Sequence, residues 1–129
     1  MKQITKRLLG GEDLREGIEK LLAANNVKAG IIGSVVGSLS KATLRLGGAK
    51  DIKTLEGNLE IVGGTGTVSI NGSHIHISVA DNAGNVSGGH LQNGCVVRTT
   101  VELVILIFED TEYKREMDQK TGYPELTIR

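Results

Sequence analysis

The spacing of apolar residues predicts one amphipathic helix near the start of the chain. Leu14, Ile18 and Leu22 recur at intervals of four, which places them on one face of a helix. Asp13 precedes this stripe, and its carboxylate is suited to accept a hydrogen bond from a free N–H group of the first turn. We therefore expect a helix over about residues 13–25 that packs its apolar face on another element.

Most other apolar segments alternate or are rich in β-branched residues, as strands are. The predicted strand regions are residues 3–9, 29–36, 39–46, 59–70, 73–80, 86–91 and 96–108. The polar residues 51–57 are expected to form a connection. The charged tail, 109–129, is expected to form a short C-terminal helical turn and a brief last strand. The pattern predicts an α+β fold with a mainly antiparallel sheet and one main helix.

The segment 103–108 is apolar at every position, as a strand covered on both faces would be. One helix cannot cover both faces of a large sheet, so a second layer or another subunit must do so. The segment is also far too short to span a bilayer. We expect an oligomer, and no membrane segment.

Length and composition further narrow the class of protein to which the chain can belong. The 129 residues fit a single domain, 1–129, and fifteen basic side chains balance fifteen acidic ones. A protein that binds the phosphate backbone usually carries a basic excess, which is missing here. The only cysteine, Cys95, excludes an intrachain disulfide and is interpreted as a buried structural thiol. The N-terminus has no apolar signal-peptide core, so a cytoplasmic location is expected.

The candidate chemistry lies in the three histidines of the chain. His74 and His76 alternate with Ile75 and Ile77, so in a strand the two imidazoles share one face, with Cα atoms about 6.5–7 Å apart. Such a spacing allows both rings to bind one metal ion. His-X-His is a weak signal alone, and the alternative is that these are ordinary polar residues on an exposed strand.

The next element strengthens the metal hypothesis. Residues 81–85, Asp-Asn-Ala-Gly-Asn, have strong turn chemistry. If the loop is 82–84, His76 and His90 are equally far from its centre and lie opposite each other, with Cβ atoms about 4.5–5.5 Å apart. A bulge at 88–89 would instead turn His90 to the other face. In the first register three imidazoles form a site for zinc or another divalent transition metal, with an open fourth position.

Three carboxylates are candidates for the surroundings of this site, although no spacing places them: Glu60, Asp81 and Glu102. Glu102 begins an otherwise apolar strand, where a carboxylate is costly to bury unless it is paired. It is equally compatible with a solvated strand end. No acid or base is recognisable, so we expect a binding protein rather than an enzyme and can name no substrate.

Several short motifs occur in the order and spacing of one known family. They are Gly11-Glu12-Asp13-Leu14, Gly57-Asn58-Leu59-Glu60-Ile61, His74-Ile75-His76, Gly88-Gly89-His90-Leu91 and Thr121-Gly122-Tyr123-Pro124-Glu125-Leu126. By these motifs, nearly the whole chain resembles the plants and prokaryotes conserved domain (PPC domain). The resemblance implies a mostly antiparallel fold, a homotrimer and a DNA-associated or regulatory role.

In plant members of that family an AT-hook precedes the domain, and one segment binds partner proteins. The corresponding segment here is Gly57, Asn58, Leu59, Glu60, Ile61 and Val62, with Asn58 and Leu59 where the family has arginine and phenylalanine. The Arg-Gly-Arg-Pro core of an AT-hook is not in this sequence. The first hypothesis is thus a homotrimeric DNA-associated PPC protein. The alternative is a metal-binding small-ligand protein, or a metal-dependent enzyme, using the three histidines.

Overall fold

The protein folds as a mainly antiparallel sheet with one helix, as the sequence predicts. A computed structural model describes all 129 residues. In chain order the elements are β1 Lys2–Leu9, α1 Leu14–Ala24, β2 Ala29–Arg45, β3 Ile52–Ser69, β4 Gly72–Ala80, β5 Val86–Leu91, β6 Val96–Ile107, β7 Tyr113–Met117 and β8 Pro124–Ile128. No helix is long and apolar enough to cross a membrane.

Six strands form the main sheet in the order β1-β6-β2-β3-β4-β5. The end of β2 also pairs with β5, through Leu44 with Leu91 and Arg45 with His90. This extra pairing closes β2, β3, β4 and β5 into a ring of strands. The last two strands, β7 and β8, form a separate antiparallel hairpin.

The predicted strands 29–36 and 39–46 are one long strand, β2. Its register with β6 shifts at three places, between Ile32 and Ser34, Gly37 and Leu39, and Leu39 and Lys41, and these irregularities interrupt the apolar alternation. Residues 51–57 are not a connection, because Ile52 onward already pairs with β2 as the first part of β3. These residues are mostly exposed, so their polar pattern resembles that of a loop.

The C-terminal tail also differs from the prediction. The prediction missed a strand, β7, which begins at Tyr113. One hydrogen bond of helical span, from the Gly122 N–H to the Asp118 carbonyl at 2.8 Å, lies in the turn that joins β7 and β8. The predicted last strand is β8.

The core lies between α1 and the inner face of the sheet. Leu14, Ile18 and Leu22 of the helix are buried with the inner side chains of β6, among them Leu103 and Ile105. The alternate residues of β6 lie on the opposite, outer face and are half-buried or exposed. The sheet is thus covered on one side by the helix and left uncovered on the other.

Asp13 fixes the start of the helix against the sheet. Its carboxylate accepts a hydrogen bond from the Glu16 N–H at 2.9 Å, which caps the helix as predicted, and another from the Gly94 N–H at 2.7 Å. Cys95, next in the chain, is buried, and its thiol donates to the Thr43 carbonyl at 3.3 Å. The bond from Gly94 holds the first turn of α1 beside the loop that follows β5, and the Cys95 thiol joins the same loop to β2.

Candidate metal centre

The hairpin of β4 and β5 has the register that brings His76 opposite His90. The predicted pairing is therefore confirmed, and no bulge at Gly88 or Gly89 turns His90 away. Asp81 holds the turn, since its carboxylate accepts the N–H groups of Ala83 and Asn85, both at 2.9 Å.

Two neighbouring strands extend this row of residues. Thr65 of β3 lies opposite His76, and Arg45 of β2 lies opposite His90 on the other side of β5. Residues directly opposite each other point to the same face of a sheet, so one row across four strands carries Thr65, His76, His90 and Arg45. His74 stands beside this row. The ring closure between β2 and β5 is what brings an arginine against the histidines.

Gly89 makes that closure possible. A Cβ atom at this position would lie 2.6 Å from the carbonyl oxygen of Arg45 and 3.1 Å from the Cβ atom of Leu44. Both obstacles belong to the facing strand, and the closer one is backbone, which cannot rotate away. A residue without a side chain therefore allows β5 to approach β2.

The three imidazoles converge on one point. One ring nitrogen from each of His74, His76 and His90 lies within 4.8 Å of the others. The Nε2 atoms of His74 and His76 are 3.1 Å apart, and the ring centroids of His76 and His90 are 5.6 Å apart. The Nδ1 atom of His90 is buried and has no hydrogen-bond partner. A buried polar atom without a partner is costly, and binding to a metal ion is one way to satisfy such a nitrogen.

The electrostatic surroundings favour neutral imidazoles. Burial lowers the pKa of His90 to about 4, with a further contribution from the Arg45 guanidinium. Burial also lowers the pKa of His74, and the neighbouring His76 adds to this effect. Metal ions bind the neutral form of histidine, so both shifts reduce the competition from protons. Three neutral nitrogen donors form the ligand set of many zinc sites, and the residues present therefore fit such an ion.

None of the carboxylates proposed from the sequence belongs to this cluster, and none is hydrogen-bonded to a histidine. Asp81 is engaged in the β4–β5 turn. Glu60 is exposed on β3 opposite Ala80. Glu102 is exposed on the outer face of β6, between Arg7 of β1 and Val36 of β2. Of the two alternatives left open for Glu102, the structure therefore has the solvated one.

The carboxylate that faces the histidines is Glu125, whose charge acts on His74 against the arginines. It lines a pocket of about 580 Å³ together with His74, His90, Arg15, Arg45 and Arg115. Glu125 and the three arginines could not be found from the sequence, because they come from the C-terminal hairpin, α1 and β2. No local pattern could have indicated that these elements meet.

Asn71 attaches the C-terminal hairpin to the rest of the domain. Its side-chain amide donates to the Arg115 carbonyl at 2.9 Å and accepts from the Arg115 N–H at 2.7 Å. Asn71 follows β3 and directly precedes β4, so this pair of bonds fixes Arg115 beside the strand that carries His74.

The segment Gly57–Val62 lies within β3. Leu59 and Ile61 are buried in the core, whereas Gly57, Asn58, Glu60 and Val62 are exposed. Only these four exposed residues are available to a partner without unfolding of the strand.

Comparisons with known proteins agree with this architecture. A family model described as the Plants and Prokaryotes Conserved (PCC) domain, the domain abbreviated PPC above, matches residues 1–109. A bifunctional protein GlmU of a Synechococcus strain is 41% identical over 122 residues, which is 95% of this chain. The match covers 20% of that protein, and 19% of a second Synechococcus GlmU, so the chain spans about one fifth of these curated relatives.

Several solved structures have the same fold. A hypothetical protein from Salmonella is 34% identical, with a TM-score of 0.95 over 99% of this chain and 93% of that one. A metal-containing protein from Archaeoglobus fulgidus is 28% identical, with a TM-score of 0.84 over 98% and 94% of the two chains. A candidate DNA-binding protein from Bacteroides thetaiotaomicron, 20% identical, has a TM-score of 0.84 over 98% and 91%, and shares the fold alone.

Proposed function

This chain belongs to the Plants and Prokaryotes Conserved domain family, and we propose that it binds a divalent transition metal ion, with zinc as the best fit. The ligands are His74, His76 and His90. The observation that carries the proposal is the convergence of one nitrogen from each ring to within 4.8 Å. The similarity to a metal-containing protein of Archaeoglobus fulgidus supports it.

The role of the protein residues follows from their positions. The three imidazoles would hold the ion, which when bound supplies a Lewis acid with a coordination position open to water or a ligand. Gly89 and Arg45 keep β5 against β2 and so fix the orientation of His90. Glu125 is the one carboxylate that lines the pocket at this centre. We propose a binding protein rather than an enzyme.

Elemental analysis of protein purified without chelator tests the metal site. We expect about one transition-metal ion per chain in the parent protein, because three imidazoles suffice for stable binding. The variant His76→Ala should lose most of it. Ser78→Ala is the matched control, since Ser78 lies on the same face of β4 but offers no strong ligand. It should retain the metal.

Two results would contradict this function. One is the absence of transition metal from the parent protein, even after incubation with zinc and removal of the excess. The other is equal metal content in His76→Ala and Ser78→Ala. Circular dichroism of each variant shows whether the fold is intact and so separates loss of the site from loss of structure.

We further propose that the chain self-associates through its outer sheet face, as a homotrimer. The face carries apolar side chains that one chain leaves only half-buried, among them Ile31, Val104 and Leu106, with Val36 exposed at its border. Ile31 pairs with Leu106 across β2 and β6, so these side chains are contiguous. Apolar surfaces of this kind mark association sites. The number three comes from the family resemblance.

Analytical ultracentrifugation tests the assembly. The parent protein should sediment as a trimer, and Leu106→Glu should shift it towards the monomer because a buried unpaired charge is costly at an interface. The control is Lys41→Glu, which changes a charge on the neighbouring strand β2. A monomeric parent protein would contradict the proposal.

A DNA-associated role in the cytoplasm is the second candidate function. Two proteins of the same fold, from Bacteroides thetaiotaomicron and Ralstonia eutropha, are described as candidate DNA-binding proteins. At 20% and 22% identity they are related to this chain by fold alone. Binding to duplex DNA, measured over a range of salt concentrations, tests this role, since contacts to phosphates make the affinity depend steeply on salt. Undetectable binding at low salt would exclude this role.

A further inference from the structure

An open, polar pocket of about 580 Å³ lies beside His74 and His90. Its volume is in the range of pockets that bind small molecules, about 300–1,000 Å³. Three arginines from three different elements line it: Arg15 from α1, Arg45 from the end of β2 and Arg115 from β7. All three side chains are half-buried. The pocket thus gathers cationic groups from distant parts of the sequence.

These guanidinium groups have no carboxylate partner. The five ion pairs of the chain use other cations, namely the terminal amine, Lys2, Lys20, Lys114 and Arg129. Arg15 donates to the Leu91 carbonyl at 3.2 Å, and Arg115 donates to Thr67 Oγ1 at 2.6 Å. The Nε atom of Arg115 is buried without a hydrogen-bond partner. One buried donor of this pocket-lining residue therefore remains unsatisfied.

The charge of the pocket is strongly unbalanced. Three guanidinium groups face one carboxylate, that of Glu125, which accepts a hydrogen bond from the Thr121 hydroxyl at 3.1 Å. The whole chain carries no net charge, so this excess is local. Like charges held together in a partly desolvated pocket repel one another, and a bound anion removes the repulsion. Arginine is also the side chain best suited to the oxygens of carboxylates and phosphates.

We propose that this pocket binds a small dianionic oxyanion ligand, a dicarboxylate or a phosphate compound, through Arg15, Arg45 and Arg115. Two negative charges match the excess left after Glu125 is counted. A ligand held there lies against His74 and His90, so that one of its oxygens is available to the ion at the histidine centre. This last part rests on the proposed function, whereas the arginine contacts do not.

Isothermal titration calorimetry with inorganic phosphate and with malonate tests the inference. Each dianion is compared with acetate and chloride at equal ionic strength, on metal-free protein and on protein loaded with zinc. We expect the dianions to bind at least about tenfold more tightly than the monoanions, since each charge-assisted hydrogen bond contributes about that factor. Stronger binding of phosphate or of malonate then identifies which oxyanion the pocket prefers.

Two arginine variants and a matched control assign the binding to the pocket. Arg45→Gln should weaken dianion binding about tenfold, and Arg15→Gln offers a second test if the first variant does not fold. Arg98→Gln removes an exposed arginine of β6 that does not line the pocket and should leave binding unchanged. Equal affinities for dianions and monoanions would overturn the inference, as would equal loss in the Arg45 and Arg98 variants.

The same samples separate this inference from the metal proposal. Zinc content is measured on each arginine variant. Dianion binding in metal-free protein that depends on Arg45 supports the pocket even if the histidines bind no metal. Zinc binding without any preference for dianions overturns the pocket and leaves the metal centre standing.

Discussion

Acidification should destabilise the metal-free protein through His90. Its pKa is lowered from 6.5 to about 4 in the folded state, chiefly by burial. Below about pH 6.5 the unfolded chain therefore binds a proton at this position, whereas the folded chain does not until about pH 4. Protons then favour the unfolded state. The stability associated with His90 is fully present above the unfolded pKa and is lost as the pH falls through this window.

The magnitude follows from the shift. A pH of about 5 lies about 1.5 units below the pKa of the unfolded imidazole. Each unit corresponds to about 1.36 kcal/mol, so the upper limit for the loss in free energy of unfolding is about 2 kcal/mol. His90 is half-buried, so solvent screens part of this effect, and we expect about 1 kcal/mol. His74, whose pKa is also lowered, acts in the same direction.

Urea unfolding at about pH 7.5 and about pH 5, with chelator and at fixed protein concentration, measures the effect. Carboxylates also titrate towards the lower pH, so the parent is compared with His90→Gln, which keeps a polar side chain that does not titrate. The free energy of unfolding should fall by about 1 kcal/mol more in the parent than in the variant. Equal decreases in both proteins would refute the argument.

Three further predictions concern the residues that support the centre. Gly89→Ala should lower the free energy of unfolding by about 1–3 kcal/mol and weaken zinc binding, because the new Cβ meets the Arg45 carbonyl at 2.6 Å. Gly47→Ala, with nothing within 4 Å, is the control in the same urea and zinc titrations. Asp13→Ala should cost about 1–2 kcal/mol in urea unfolding through the lost helix cap, and a cost near zero would contradict its role. Burial raises the pKa of Cys95, so iodoacetamide should modify the thiol only as fast as local unfolding exposes it. Mass spectrometry of the alkylated protein over time measures this rate.

The histidine cluster could be predicted because its determinants are local. The turn residues 81–85 fix the loop, and the loop fixes which residues of β4 and β5 face each other. His76 and His90 are therefore placed by a short stretch of sequence. The helix was predictable for the same reason, since Asp13 and the stripe from Leu14 to Leu22 lie within one segment.

The arginine pocket could not be predicted because it depends on contacts between distant segments. Arg45 faces His90 only because β2 continues past its bulges to pair with β5, and these bulges made β2 look like two strands. Arg115 reaches the pocket because Asn71 holds the C-terminal hairpin. The first strand of that hairpin, β7, was not predicted, and the hairpin lies beyond the residues matched by the family model.

The position of His74 connects the three proposals for this protein. It lines the arginine pocket, and it also lines a groove with His76, Thr65 and Ile31. Ile31 belongs to the outer face proposed to associate, so the histidine centre lies between that face and the arginines. Assembly through the outer face would bring a second chain next to the groove side of the centre, while an anion would approach from the arginine side. A ligand and a neighbouring subunit would then act on the same imidazole, which is the physical basis on which ligand binding and assembly are expected to influence each other.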